Sequence, residues 1–273
     1  MHERGLVHGE ISYNNIVVLD DRAKILDREH AKLENDWPQT QTTSPCFMST
    51  EVYRQRYQHE PVADSPMTAE STPFDFLDLL ELDFNNALKY TRATDIDLHN
   101  EGVAPLSLSN TASPDVPFRY NPLHDYESLF WLCLFLLLGA SLKEDCRYKA
   151  NGLSRFTTTQ KDLFVRIFSA PFIEKSEIML ESKMFSKLNE NLHPTVSLVM
   201  TELQGMRTGL VDAFTNAERN MDTQHPIPIT VGRRTGRLMV TRVMSIIHHL
   251  REDDLEFAVE GAFDLLAMSS PSY

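Results

Sequence analysis

The stretch His8–Glu29, HGEISYNNIVVLDDRAKILDRE, decides how this chain is read. It opens with a histidine, an acid two residues on and an amide five residues beyond that: His8, Glu10 and Asn15. Ile16–Leu19 (IVVL) is a short β-branched run, Asp20-Asp21-Arg22 has turn chemistry, and Ala23–Leu26 (AKIL) is a second short run. Together they predict a small β-hairpin. A hairpin returns the chain to its starting point. Asn15, just before the first strand, and Asp27, just after the second, are therefore expected side by side. An amide oxygen and a carboxylate so placed are suitable oxygen ligands for Mg²⁺. Glu10 would face them as a base or orienting group.

The rest of the composition bounds the class of protein. The chain has 273 residues, 42% hydrophobic and 24% charged, a globular composition of one large domain or two small ones. Its net charge is −13. Positions 60–128 hold thirteen acids against Lys89, Arg92 and Arg119, so most of the excess lies in one segment. Phosphate backbones need the opposite sign, and no nucleic-acid partner is expected. Arg233, Arg234 and Arg237 form one short basic cluster, read as a solvated loop. The three cysteines, Cys46, Cys133 and Cys146, are odd in number and widely spaced. They suggest a reducing, intracellular compartment, cytoplasmic or nuclear, rather than a disulfide framework. The longest apolar run, Leu129–Leu138 (LFWLCLFLLL), is half of the about 20 residues a membrane span needs. It predicts a helix buried on all sides, and no membrane partner.

Beyond the hairpin, 34–45 reads as a polar loop and Glu51–Tyr57 as a short helix. Residues 59–72 are rich in Pro and Ser. In 73–90, Phe76, Leu77, Leu80, Phe84, Ala87 and Leu88 share one face at helical spacing, with acids elsewhere. Further helices are expected over 126–138, 158–169, 175–190, 195–219, 237–250 and 254–267. That over 195–219 carries Val196, Val199, Leu203, Met206, Leu210 and Phe214 on one stripe. Pro226 and Pro228 mark the break before the last two. The expected class is mainly α, with a small β-hairpin near its start.

The constellation resembles the protein kinases, whose catalytic loop reads H-R-D-x-x-x-x-N and whose next hairpin leads into D-F-G. It is closer still to the fungal-type protein kinase family, with its H-R-D-I-S-x-x-N-I loop. Four matches stand in order: HGEISYNNI, LDREHAKL, PCFMSTEVY and HDYESLFWL, from residue 8 to about 139. The resemblance implies a kinase-like C-terminal lobe over 1–273, with 59–122 an acidic insertion between activation segment and central helix. It also implies ATP and Mg²⁺ as cofactors, with Asn15 and Asp27 on the metal, and a protein substrate or protein partner. Glu51 would anchor the activation segment. Asp125 would open the central helix and hold the catalytic loop's backbone N–H groups. His8 would shape the loop rather than carry a proton.

The departures from the pattern bear on activity. No Gly-rich loop, strand lysine or helix glutamate precedes residue 8, so the N-terminal lobe that clamps ATP is expected to be absent. Glu10 stands where the base is aspartate, and its extra methylene moves the carboxylate by roughly 1 Å, enough to cost about 100-fold in rate. Gly9 replaces the motif's arginine, and Asp27-Arg28-Glu29 replaces the metal motif. Ser12 stands where many kinases have a phosphate-contacting lysine. These changes predict a chain without kinase activity. Two origins stay open, a pseudokinase that binds partners and a piece of a longer gene. Two other classes are weighed. His8-Gly9-Glu10 followed by Pro45-Cys46 approaches the zinc deaminase signature, but Ser49 stands where a second thiolate belongs. An interaction module working through the acidic insertion is the other.

Overall fold

The apolar run lies inside a helix that forms the axis of the fold, Pro122–Gly139. Phe130, Trp131, Leu132, Leu134, Phe135, Leu137 and Leu138 are all buried along it. Each contributes about 1.5–3 kcal/mol over an exposed position. Asn121 caps this helix, its Oδ1 accepting from the Leu123 amide at 2.9 Å. Pro122, at the first helical position, has no N–H to leave unpaired. The helix thus begins four residues before the expected 126. Asp125 falls within its first turn and is not the cap.

The structure, a computed structural model, describes residues 1–19, 22–33, 36, 46–59, 118–142, 158–169, 173–190, 194–219, 227, 229–250 and 255–257. These belong to one unit, Met1–Pro61 with Asp115–Tyr273. The expected helix over 73–90 and nearly all of the acidic insertion lie outside the described residues. The strands are β1 Leu6–Val7, β2 Ile16–Leu19, β3 Arg22–Ile25, β4 Lys32–Leu33, β5 Ala140–Leu142 and β6 Leu255–Phe257. The helices are α1 Thr50–Arg54, α2 Pro122–Gly139, α3 Thr158–Ser169, α4 Ile173–Leu180, α5 Ser182–Glu190, α6 Pro194–Arg219 and α7 Ile229–His249. The described chain is mostly helical, with three antiparallel strand pairs: β1 with β4, β2 with β3, and β5 with β6. No helix among the described residues is long and apolar enough to cross a membrane.

The hairpin forms with Ile16 opposite Ile25 and Leu19 opposite Arg22, one residue tighter than read from the sequence. Around α2 pack α3, α6 and α7. From the predicted stripe of α6, Val199, Leu203, Met206, Leu210 and Phe214 all enter the core. Three expectations need correction. The helix over 175–190 is two, broken at Glu181. The Arg207 guanidinium of α6 donates to the Met179 carbonyl, satisfying an acceptor that a continuing helix would have used. The span 254–267 is not helical at its start, because 255–257 pairs with β5, Ala140 opposite Phe257 and Leu142 opposite Leu255. Three residues are too few for periodicity to tell strand from helix.

The last correction concerns α7, which begins at Ile229, eight residues before the expected 237. The added turns, ITVGRRTG, contain two glycines and read poorly as helix. Packing reverses that preference. A Cβ on Gly232 would lie 3.1 Å from Pro122 Cβ, and one on Gly236 would lie 2.9 Å from Tyr126 Cζ. The glycines let α7 approach the start of α2 closely, and the contact outweighs about 1 kcal/mol of lost propensity per glycine. The whole basic cluster, Arg233, Arg234 and Arg237, read as a loop, is therefore helical surface.

Candidate functional site

The loop from His8 to Asn15 runs between β1 and β2, and α2 holds it from behind. Asp125 Oδ2 accepts from the His8 amide at 2.7 Å, and Oδ1 accepts from the Gly9 amide at 2.8 Å. The His2 imidazole adds a third bond, donating from Nε2 to Asp125 Oδ2 at 2.7 Å, while its Nδ1 shares a hydrogen bond with the Tyr126 hydroxyl at 2.9 Å. Asp125 is almost fully buried. A buried carboxyl is tolerable only when its oxygens are satisfied, and these three donors do that.

His8 is buried, and both of its ring nitrogens hold backbone. Nε2 donates to the Leu26 carbonyl at 2.8 Å, and Nδ1 accepts from the Glu10 amide at 3.3 Å. This fixes the neutral tautomer with its proton on Nε2 and ties the loop to the end of β3. Gly9 has φ +75°. Residues with a Cβ are strained there, so the position read as a lost arginine is one whose backbone suits glycine. Its only signal in the sequence is its place, two residues past a short strand, where the chain must turn out sharply.

Asn15 ends a single 3₁₀ turn, Tyr13–Asn15, and is buried. Its Nδ2 donates to the Glu10 carbonyl at 2.9 Å. The Leu26 amide donates to the Asn15 carbonyl at 2.8 Å, closing the base of the hairpin. Asp27 comes directly after, with φ 52° and an exposed side chain that does not cap the next turn. Asp27 is thus one residue along the chain from the partner of the Asn15 carbonyl. Glu10 is half-buried. Arg28 and Glu29 are exposed on a 3₁₀ turn, and the Arg28 Nε donates to the Ile25 carbonyl at 3.3 Å.

A second cluster lies on the other side of α2. Glu51 is fully buried at the start of α1. Its Oε1 accepts from the Gln58 amide at 2.8 Å, and its Oε2 lies 3.1 Å from His124 Nε2. Glu127, which sequence reading passed over, grips the same segment. It accepts from the Ser49 hydroxyl at 2.8 Å, the Thr50 amide and hydroxyl at 2.9 Å each, and the Trp131 indole at 3.0 Å. An acid at the fourth position of HDYES, two residues past Asp125 and so on another face of the helix, is the signal that could have exposed it. Lys175 on α4 completes the attachment by donating to the Cys46 carbonyl, with its ammonium 5.0 Å from the Trp131 ring. Burial lowers the Lys175 pKa to about 7.

Glu51 meets Glu218, from the end of α6, carboxyl to carboxyl. Glu218 Oε2 accepts from the His59 amide at 2.6 Å, while Oε1 has no donor among the described residues. Two acceptors side by side make a bond only if one carries a proton. Burial raises both pKa values, Glu51 to about 8. The charge of Glu51 raises Glu218 further, whereas the hydrogen bond from Glu218 draws Glu51 back down. Of the two, Glu218 holds its proton more firmly, because the charge of Glu51 adds to the effect of burial.

That proton has a measurable consequence. A folded-state pKa above the ordinary 4.5 means that the folded chain holds a proton the unfolded chain has released. Stability from the Glu218 proton is complete below pH 4.5 and is lost progressively as pH rises toward about 11. His124, lowered to about 4 by burial, acts in the opposite direction below pH 6.5, and Lys175 does so above pH 7. Comparison with Glu218→Gln isolates Glu218, because glutamine occupies the same site without titrating. The variant's stability relative to the parent is expected to rise steadily as pH is raised above 4.5. Urea unfolding at successive pH values measures it. A difference that stays flat with pH rules out a raised pKa for Glu218.

The zinc deaminase reading has no support in this geometry. The Cys46 thiol donates to the Phe168 carbonyl at 3.2 Å, and His8 is committed to Leu26 and Glu10. Among the described residues no three His, Cys, Asp or Glu side chains converge to hold a metal ion. Comparison with protein-family models, with curated proteins and with solved structures finds no match to this chain.

Proposed function

We propose that this chain is a protein-kinase-like C-terminal lobe of the fungal type whose phosphoryl-transfer chemistry is degenerate, and that it acts by binding protein. The observation that supports the reading best is Asp125 accepting from two successive loop amides, His8 and Gly9, with His8 locked onto Leu26. That is how a catalytic loop is held in shape by the helix beneath it. Asn15 and Asp27 are the residues that would hold Mg²⁺, one oxygen each, the ion keeping water in its other positions. Bound there, Mg²⁺ would neutralise charge on the phosphates of ATP.

The loop's scaffold is better kept than its chemistry. Phosphoryl transfer depends on positioned charge, and each missing electrostatic group costs about 100- to 1000-fold. Glu10 is longer than the aspartate it replaces, Gly9 cannot pair with a phosphorylated segment, and Glu29 adds negative charge after Asp27. Incubation with labelled ATP, Mg²⁺ and generic acceptor proteins is expected to yield no transfer. Label transfer that survives purification and disappears in Asp27→Ala would overturn the proposal of inactivity.

A further inference from the structure

On α7 the residues Arg233, Arg237, Val240, Met244 and Ile247 recur at spacings of four, three, four and three. At 100° per residue they lie within one narrow stripe along the helix. Thr235, Met239 and Ile246, on the opposite side, are buried against the core. The outer stripe is in solvent, with Val240 and Ile247 each 59% exposed and Met244 47%. Single exposed apolar residues are ordinary. Three in line at 4-3 spacing are not, because that is the repeat by which one helix seats another.

The charge on this stripe says what kind of helix fits. Arg233 and Arg237 are exposed and extend the apolar seam toward the start of α7. Arg242, on the inner side of the helix, is used within the fold, paired with Glu202 at 2.8 Å. The outer face is cationic on a chain of net charge −13. A second copy is a poor complement. Pairing two stripes in parallel sets Arg233 and Arg237 against themselves, and pairing them antiparallel sets Arg237 against Met244. A bilayer is also a poor fit, since an interfacial helix needs a wide apolar face and this one is a single line.

We infer that the outer face of α7 docks an amphipathic helix of a partner protein, with apolar residues at 4-3 spacing over Val240, Met244 and Ile247 and acids opposite Arg233 and Arg237. The inference does not depend on the kinase-like reading. The partner helix buries the apolar line, and its acids gain charge-assisted contacts at the rim that fix its direction.

The test uses the full chain and two fluorescent helix-forming peptides. Both carry leucines at 4-3 spacing, one with glutamates at the end facing Arg233 and the other with lysines there. The glutamate peptide is expected to bind at least about 10-fold tighter, with affinity falling as salt is raised. Ile247→Asp and Arg237→Glu should each weaken it about 10-fold, the effect of losing one anchor. Both side chains are exposed, so the circular dichroism melt should not move, which separates lost docking from lost folding. Equal affinity for the two peptides overturns the inference. So does self-association by sedimentation, or flotation with phosphatidylserine vesicles, that Ile247→Asp abolishes while neither peptide binds.

Discussion

Asp125→Ala is expected to lower the unfolding free energy by about 3–5 kcal/mol. The alanine leaves the amides of His8 and Gly9 without an acceptor, at a site where Asp125 is 1% exposed and the cavity is lined by protein. Each buried, unpaired amide costs about 1–3 kcal/mol, and His2 loses its partner as well. Asp125→Asn keeps the volume but turns one acceptor into a donor, which then faces a backbone N–H or the His2 ring. It should recover little. The urea midpoint measures the stability, and amide exchange at His8 and Gly9 measures where it is lost. These two amides should lose protection to a greater degree than those of α6. A stability change under about 1 kcal/mol, with protection at both amides intact, would sink the assignment of Asp125 as the loop's anchor.

Glu127→Ala should cost a similar amount for a different segment. Four donors converge on this side chain, from Ser49, Thr50 twice and Trp131. The two hydroxyls can turn elsewhere. The Thr50 amide and the Trp131 indole cannot, because a helix start and a packed ring fix them. The expected loss is about 3–5 kcal/mol, with roughly half recovered in Glu127→Gln, which keeps one acceptor. Indole emission from Trp131, in a Trp37→Phe background, should shift when its partner is removed. Protease cleavage within residues 46–59 should accelerate in Glu127→Ala before the global transition is reached. Unchanged cleavage would mean that Glu51 and Lys175 hold the segment without Glu127.

The parts legible in the sequence are those governed by near neighbours. β-Branched runs around Asp20-Asp21 predict the hairpin, and the apolar run predicts the buried helix, because period and turn chemistry act over a few residues. The stripe of α6 is equally readable. Errors occur where distant residues compete with local preference. Gly232 and Gly236 argue against a helix until Pro122 and Tyr126 are placed against them. Leu255–Phe257 is too short to declare itself until Ala140–Leu142 lies alongside. Glu181 breaks a helix because Arg207, from another helix, takes the Met179 carbonyl.

The candidate site divides in the same way. The types and spacing of His8, Glu10, Asn15 and Asp27 are properties of the chain, and they suffice to mark a loop and a hairpin that returns to it. What that loop rests on is not local. Asp125 is 117 residues from His8, yet its two oxygens set the path of the loop backbone. Glu51 and Glu218, 167 positions apart by their numbers, are pushed toward their protonated forms only when α1 and α6 meet, because burial removes the water that would otherwise have stabilised their charges. Residue order and type alone account for the hairpin, the apolar axis and most of the helices, since those depend on contacts a few positions apart. The identity of the buried carboxyls and of the groups that satisfy them belongs to the packed chain, because desolvation and distant hydrogen-bond partners exist only once it has folded.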